Sequence, residues 1–117
     1  MNSVLWGNTG TNGPQLYTDP GGTTTATYSD IQFTSVYTGT GNINADPQFV
    51  QPITATFAPT RAGDYHVRPI SPLIDRGTDA GVTTDLDGLP RPLGAGFDMG
   101  SYEFQPRLYL PLIFGPE

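Results

Sequence analysis

The sequence predicts an all-β fold of short strands joined by tight turns, and three observations carry that expectation. Fifteen glycines and twelve prolines stand among 117 residues, and both types break helices. Threonine, β-branched and suited to pleated backbone, recurs in the runs Thr23 to Thr27 and Thr54 to Thr60. Strand-like segments alternate with Gly- and Pro-containing turns. A chain of this length forms one domain and buries about two-thirds of its unfolded surface, enough for one modest core. It holds no cysteine, so neither disulfides nor a cysteine-based site is available.

Residues 3–6, 15–18 and 24–33 read as strands, separated by turns at Gly10 to Pro14 and Asp19 to Gly22. Across Ala26 to Phe33 simple alternation gives no clean apolar face, so a bend or bulge near Asp30 is expected. Val36 and Tyr37 precede a Gly39-Thr40-Gly41 turn. Asn42 to Val50 then forms a strand interrupted at Asp46-Pro47, because proline cannot donate to a ladder and marks an edge or corner. Residues 51–61 are Thr-, Ala- and Pro-rich and read as a loop or weak strand. Asp64 to Arg68 is a half-buried strand, with Tyr65 and Val67 on one face and Asp64, His66 and Arg68 on the other. Ser71-Pro72 through Gly77 carries an N-cap serine, a proline at the first helical position and a glycine stop, which predicts a single helical turn. A loop of residues 78–96 leads to a strand over Met99 to Phe104, and Arg107 to Phe114 forms the last. No strict internal repeat is present, so periodicity alone does not give a solenoid.

Three blocks are more specific: G-D-Y-H-V-R-P-I-S-P-L-I-D-R-G from Gly63, T-D-L-D-G-L-P-R from Thr84, and D-M-G-S-Y-E-F from Asp98. Together they resemble the C-terminal module of bacterial surface and secreted right-handed parallel β-helix proteins of the pectate-lyase-like, choice-of-anchor group. Asn2 to Asn8, Thr27 to Gln32 and Gly39 to Val50 resemble its last coils. The resemblance implies parallel β-helix or solenoid-like coils over residues 1–50, then an irregular β module over 63–104 with one short helical turn. These make one β-helix-like domain, 1–105, followed by an apolar tail, 106–117.

Eleven acids face five basic residues, all arginine, for a formal net charge of −6. Nucleic acid is thereby disfavoured as a partner, since phosphate binding needs a basic footprint. No apolar run approaches the roughly 20 residues of a membrane span, and the N-terminus has no basic and apolar signal regions. A signal for export would have been removed or would lie outside this chain. An acidic, Thr-rich, cysteine-free surface suits an extracellular or cell-surface protein.

His66 is the only histidine. No nucleophilic serine motif accompanies it, so a solvated or hydrogen-bonded ring is expected rather than a catalytic triad. Asp85-Leu86-Asp87-Gly88 brings two carboxylates near each other, but an EF-hand would need an acid at its twelfth position, where Gly96 stands. A looser calcium site drawing on Asp79, Asp85, Asp87 or Asp98 is the alternative to having no cofactor. The preferred reading is a structural ion network of Asp85, Asp87, Arg91, Asp98 and Glu103, in which the arginine fork pins the 78–96 loop to the last strands. Polysaccharide lyases built on β-helices join calcium-binding acids to a basic residue, along coils that this resemblance does not reach, so no catalytic residues are expected. Trp6, Tyr17, Tyr28, Tyr37, Tyr65, Tyr102 and Tyr109 could stack on sugars, though a small domain more readily uses such area in its core.

The tail decides the functional expectation. As a strand, Leu108, Leu110, Leu112 and Phe114 lie on one side and Tyr109, Pro111 and Ile113 on the other, so both faces need cover. Leu108, Tyr109, Leu110, Leu112, Ile113 and Phe114 are therefore the candidate assembly residues, pairing with a neighbouring copy by strand addition or folding across their own domain. Head-to-tail contacts that do not close generate fibres. The expected protein is a non-catalytic extracellular structural subunit of a surface filament, a homo-oligomer or polymer. The alternative is a capping, anchoring or carbohydrate-binding module that meets a surface polysaccharide.

Overall fold

A computed structural model of the chain describes residues 1–11, 13, 15–57 and 60–105. These residues are mostly non-helical and carry a few short strands, loosely compatible with an all-β class. The strands are β1 (Val4–Leu5), β2 (Asp30–Ile31), β3 (Phe49–Gln51) and β4 (Asp64–Val67), with a 3-10 turn at Ala55–Phe57 between β3 and β4. They form two separate two-stranded sheets.

The first sheet is parallel, pairing Val4 with Asp30 and Leu5 with Ile31, and a further parallel bridge joins Asp30 to Ile43. Three rungs thus stack in chain order. Their bonds alternate along the backbone: Asp30 N–H donates to Ser3 O (2.9 Å), Gln32 N–H to Leu5 O (3.0 Å), Ile31 N–H to Ile43 O (3.0 Å) and Ile43 N–H to Ser29 O (2.9 Å). A single ladder of this length does not establish the closed coils of a parallel β-helix. The second sheet is antiparallel, with Phe49 opposite Val67, Gln51 opposite Asp64, and an irregularity between them.

Several expected strands shrink. The 24–33 strand contracts to Asp30–Ile31, because Tyr28 adopts a left-handed backbone (φ 49°) that breaks the pleat two residues before the expected bend. Beyond that break Ser29, Asp30 and Ile31 are all buried, which no alternation allows. Residues 15–18 form no strand; Gln15 instead bonds to Asn8 and Gln32 through its side chain. The 42–50 strand divides into the Ile43 bridge and β3, with a fully buried Pro47 between them. Met99 to Phe104 is not a strand, since its N–H groups donate to Leu73 O, Asn2 O and to carboxylates rather than to one neighbouring strand.

The 71–77 turn forms as successive turns rather than a helix. Ser71 Oγ accepts from Leu73 N–H (3.1 Å) as an N-cap does, and Asp75 at φ 60° ends it before Gly77. Gly77 is needed for another reason: a Cβ there would sit 2.9 Å from the Asn2 side chain and 3.0 Å from Asp98 O. The helical element assigned among the described residues is instead Ala55–Phe57, in the stretch expected to be loop or weak strand. The candidate strand Arg107 to Phe114 lies outside the described residues.

The core is small. Val67, Leu73 and Met99 cluster, with Val4, Ile43, Phe49, Ile74 and Phe104 against them. Among the described residues five apolar side chains, Pro47 included, are buried against seven polar or charged ones, so much of the interior is organised by hydrogen bonds. Asn42 is the clearest case: its Oδ1 accepts from Ser29 N–H (3.0 Å), and its Nδ2 donates to Ala26, Tyr37 and Thr38 carbonyls. One side chain closes the turn that begins the third rung. Of the aromatic rings expected in the core, those among the described residues are half-buried or exposed, with Tyr17 at 58% and Tyr65 at 41% exposure, and Tyr109 lies outside the described residues.

Candidate functional site

Three features could carry function: an open strand edge with its groove, a histidine held between two acids, and a buried acid–arginine cluster.

The open edge belongs to β1. Ser3 O and Leu5 O turn toward the β2 segment, so the N–H and C=O of Val4 point the other way. Among the described residues no strand pairs with β1 on that side, although Gly100 N–H donates to Asn2 O (2.7 Å) at its start. A groove of about 420 Å³ opens there, lined by Asn2, Ser3, Val4, Trp6, Phe49, Tyr65, Gly100 and Ser101. Phe49 and Tyr65 meet edge to face with ring centres 5.0 Å apart, and Tyr65 Oη accepts from Ile53 N–H (3.2 Å). No residue of β2 lines the groove. At the opposite end of the ladder, the Ile43 rung is bridged, among the described residues, to Asp30 alone.

The histidine is positioned by β4. Its backbone N–H donates to Asp64 Oδ1 (3.0 Å), and the same oxygen lies 2.5 Å from His66 Nδ1. The other ring nitrogen, Nε2, lies 2.6 Å from Asp87 Oδ2. Tyr102 stacks on the ring with centres 3.7 Å apart. Partial burial pulls the His66 imidazole down, but hydrogen bonds to Asp87 and Asp64, with their charges, outweigh it and raise it above its ordinary value. Asp64 is correspondingly lowered by its hydrogen bonds from the His66 side chain and backbone. While both nitrogens donate to acids, the ring has no lone pair free to take a substrate proton. A groove of about 340 Å³ that His66, Asp87 and Glu103 help to line is completed by Val50, Val67, Arg68, Pro69, Leu89, Phe104 and Gln105.

The five residues assigned to an ion network divide. Arg91 Nε lies 3.4 Å from Glu103 Oε2, both side chains buried, and Arg91 also donates to Gly100 O (2.6 Å). Glu103 accepts from Leu93 and Asp98 N–H groups. Asp85 and Asp98 do not meet the arginine: they hold backbone. Asp85 accepts from Asp87 and Leu89 N–H through Oδ1 and from Glu103 N–H through Oδ2. Asp98 accepts from Asp75 and Phe104 N–H. Burial pushes Asp98 up to about 6, against those backbone bonds and with the Glu103 and Asp75 charges adding to the rise. Asp87 leaves the network for His66. An arginine count in the sequence could not separate a carboxylate that pairs with a cation from one that caps main-chain N–H groups.

Asp79, Asp85, Asp87 and Asp98 do not converge: among the described residues no group of three His, Cys, Asp or Glu could hold a metal ion. No described helix is long and apolar enough to cross a membrane. The assembly residues Leu108 to Phe114 lie outside the described residues. Sequence reasoning missed the β1-edge groove and the Asp64–His66–Asp87 unit. The second had a visible trace in the alternation D-Y-H, which puts Asp64 and His66 on one face; nothing local announced Asp87, 21 residues on. The chain matches no family model, no curated protein and no solved structure.

Proposed function

We propose that this chain is a non-catalytic extracellular structural protein, a β-helix-like subunit that assembles head to tail, with the apolar strand Leu108 to Phe114 pairing with a neighbouring copy. The observation that carries the reading is the three-rung parallel ladder, left unpaired among the described residues at both its β1 and its Ile43 edges. Such edges are templates for strand addition, and contact between unlike ends extends without closing. The β1 groove, with Trp6, Phe49 and Tyr65 in its lining, is the acceptor this reading assigns to the tail.

The test compares the intact chain with one ending at Gln105 and with Ser101→Lys, which places a charge in the groove from an exposed position. Sedimentation and electron microscopy should give polymer for the intact chain and soluble folded monomer for the truncated one, with Ser101→Lys weakening assembly. If all three are monomers, the filament reading fails.

A second reading, a carbohydrate-binding, capping or anchoring module of a larger protein, draws on the same groove, where aromatic faces sit beside Asn2, Ser3 and Ser101. Surface polysaccharide would then quench Trp6, the one tryptophan, and a folded variant lacking the Tyr65 ring would lose the effect.

A further inference from the structure

We infer that Asp64–His66–Asp87 is a proton-operated latch, closed when the imidazole carries two protons and released when it loses one. The inference stands apart from the assembly reading.

The geometry argues it in steps. An imidazolium donates from both nitrogens, and here each nitrogen faces one carboxylate, at 2.5 Å and 2.6 Å. A neutral imidazole has one N–H and one lone pair, so it can satisfy only one of the two. The two acids are not equivalent. Asp64 lies two residues away on the same strand and is already fastened by the His66 backbone N–H, so the remaining ring proton stays on Nδ1. The lone pair of Nε2 then faces Asp87 Oδ2 across a hydrogen-bond distance with no proton between them, and that contact must open. The proton lost from Nε2 goes to solvent, to which about two-fifths of each side chain is exposed.

What moves is limited by the loop's other ties. Its root is held without His66, by Asp85 N–H to Leu89 O and by Glu103 N–H to Asp85 Oδ2. The tip is a turn of exposed residues, Leu86 at 73% exposure, Asp87, and Gly88 at φ 83°. The turn's own backbone is tied as well, by Leu86 N–H to Ser101 O, Asp87 N–H to Asp85 Oδ1 and Gly88 N–H to Asp85 O, so the latch releases the Asp87 side chain from a fixed turn, next to the apolar groove walled by Val67, Leu89 and Phe104. The other groups facing the ring are the Tyr102 phenol, stacked on it, and Arg68 and Glu103 at the same groove. Glu103 is turned inward to Arg91, and Arg68 is drawn off to Val50 O. Partial burial works against the cation, and the two aspartates and the tyrosine face oppose it and favour the charged ring.

The test is an NMR titration of the full-length chain, in which His66 gives the only imidazole signals. The His66 midpoint should lie above its ordinary 6.5, and the Asp87 and Gly88 amide signals should move with that same midpoint. Asp87→Asn should lower the midpoint by about one pH unit and abolish the tip's pH response, because the amide can donate to the Nε2 lone pair. Asp64→Asn should also lower it, and the neutral ring should then keep its proton on Nε2, which nitrogen shifts report directly. A midpoint at or below 6.5 in the parent chain overturns the latch. So does a tip whose signals ignore the His66 titration.

Discussion

Asp30 sits at the middle rung of the parallel ladder, fully buried, with Oδ1 accepting from Ala45 N–H (3.1 Å) and Oδ2 without a partner. Burial pushes its carboxyl up to about 6 from 3.8, with the backbone bond from Ala45 opposing the rise and the Asp46 charge adding to it. That rise corresponds to about 3 kcal/mol between folded and unfolded chains. The folded pKa lies above the unfolded one, so the favourable share is complete below about pH 4 and is lost as pH climbs through about 6. Asp98, also raised to about 6, loses its share in the same window. Asp30→Asn cannot ionise. Its Oδ1 keeps the Ala45 bond, while its NH₂ inherits a position with no acceptor, at a cost of about 1–3 kcal/mol. The absolute stability of the variant at high pH thus changes little, and the slope is the decisive quantity. Urea unfolding followed by Trp6 fluorescence from pH 4 to pH 8 should show the parent falling by about 2–3 kcal/mol more than the variant. Parallel slopes for the two chains would refute the argument, because a buried ionising Asp30 cannot leave the slope unchanged.

Two further substitutions test the polar interior. Glu103→Gln leaves the buried Arg91 guanidinium without its carboxylate, and loss of one partner of a buried pair costs about 3–5 kcal/mol; chemical denaturation at pH 7 should show a drop of that order. Asn42→Ala removes the acceptor for Ser29 N–H and the donor to three carbonyls, and should cost about 2–4 kcal/mol. Its damage should centre on the Ile43 rung, seen as lost amide-exchange protection at Ile31 and Ile43 while β4 keeps its own.

Residue chemistry by itself determined the coarse character of the chain. Glycine and proline spacing excluded long helices, and it located the turns at Asp19 to Gly22 and Gly39 to Gly41. The short period-2 run at Asp64 to Arg68 announced β4, although of its apolar face only Val67 is buried and Tyr65 is 41% exposed. The Ser71-Pro72 signal marked a turn because an N-cap is a contact between a side chain and the N–H two residues on. What only the tertiary structure decided depends on distant partners. The left-handed Tyr28 lets Ser29, Asp30 and Ile31 all turn inward, and no alternation rule contains that. Carboxylates that looked like an ion network act mainly as caps for backbone N–H groups, since acids respond to whichever donors the fold delivers. Asp87 reaches His66 only because the 85–89 loop folds back over β4. The sequence specified which groups could bond; chain folding alone selected which of them met.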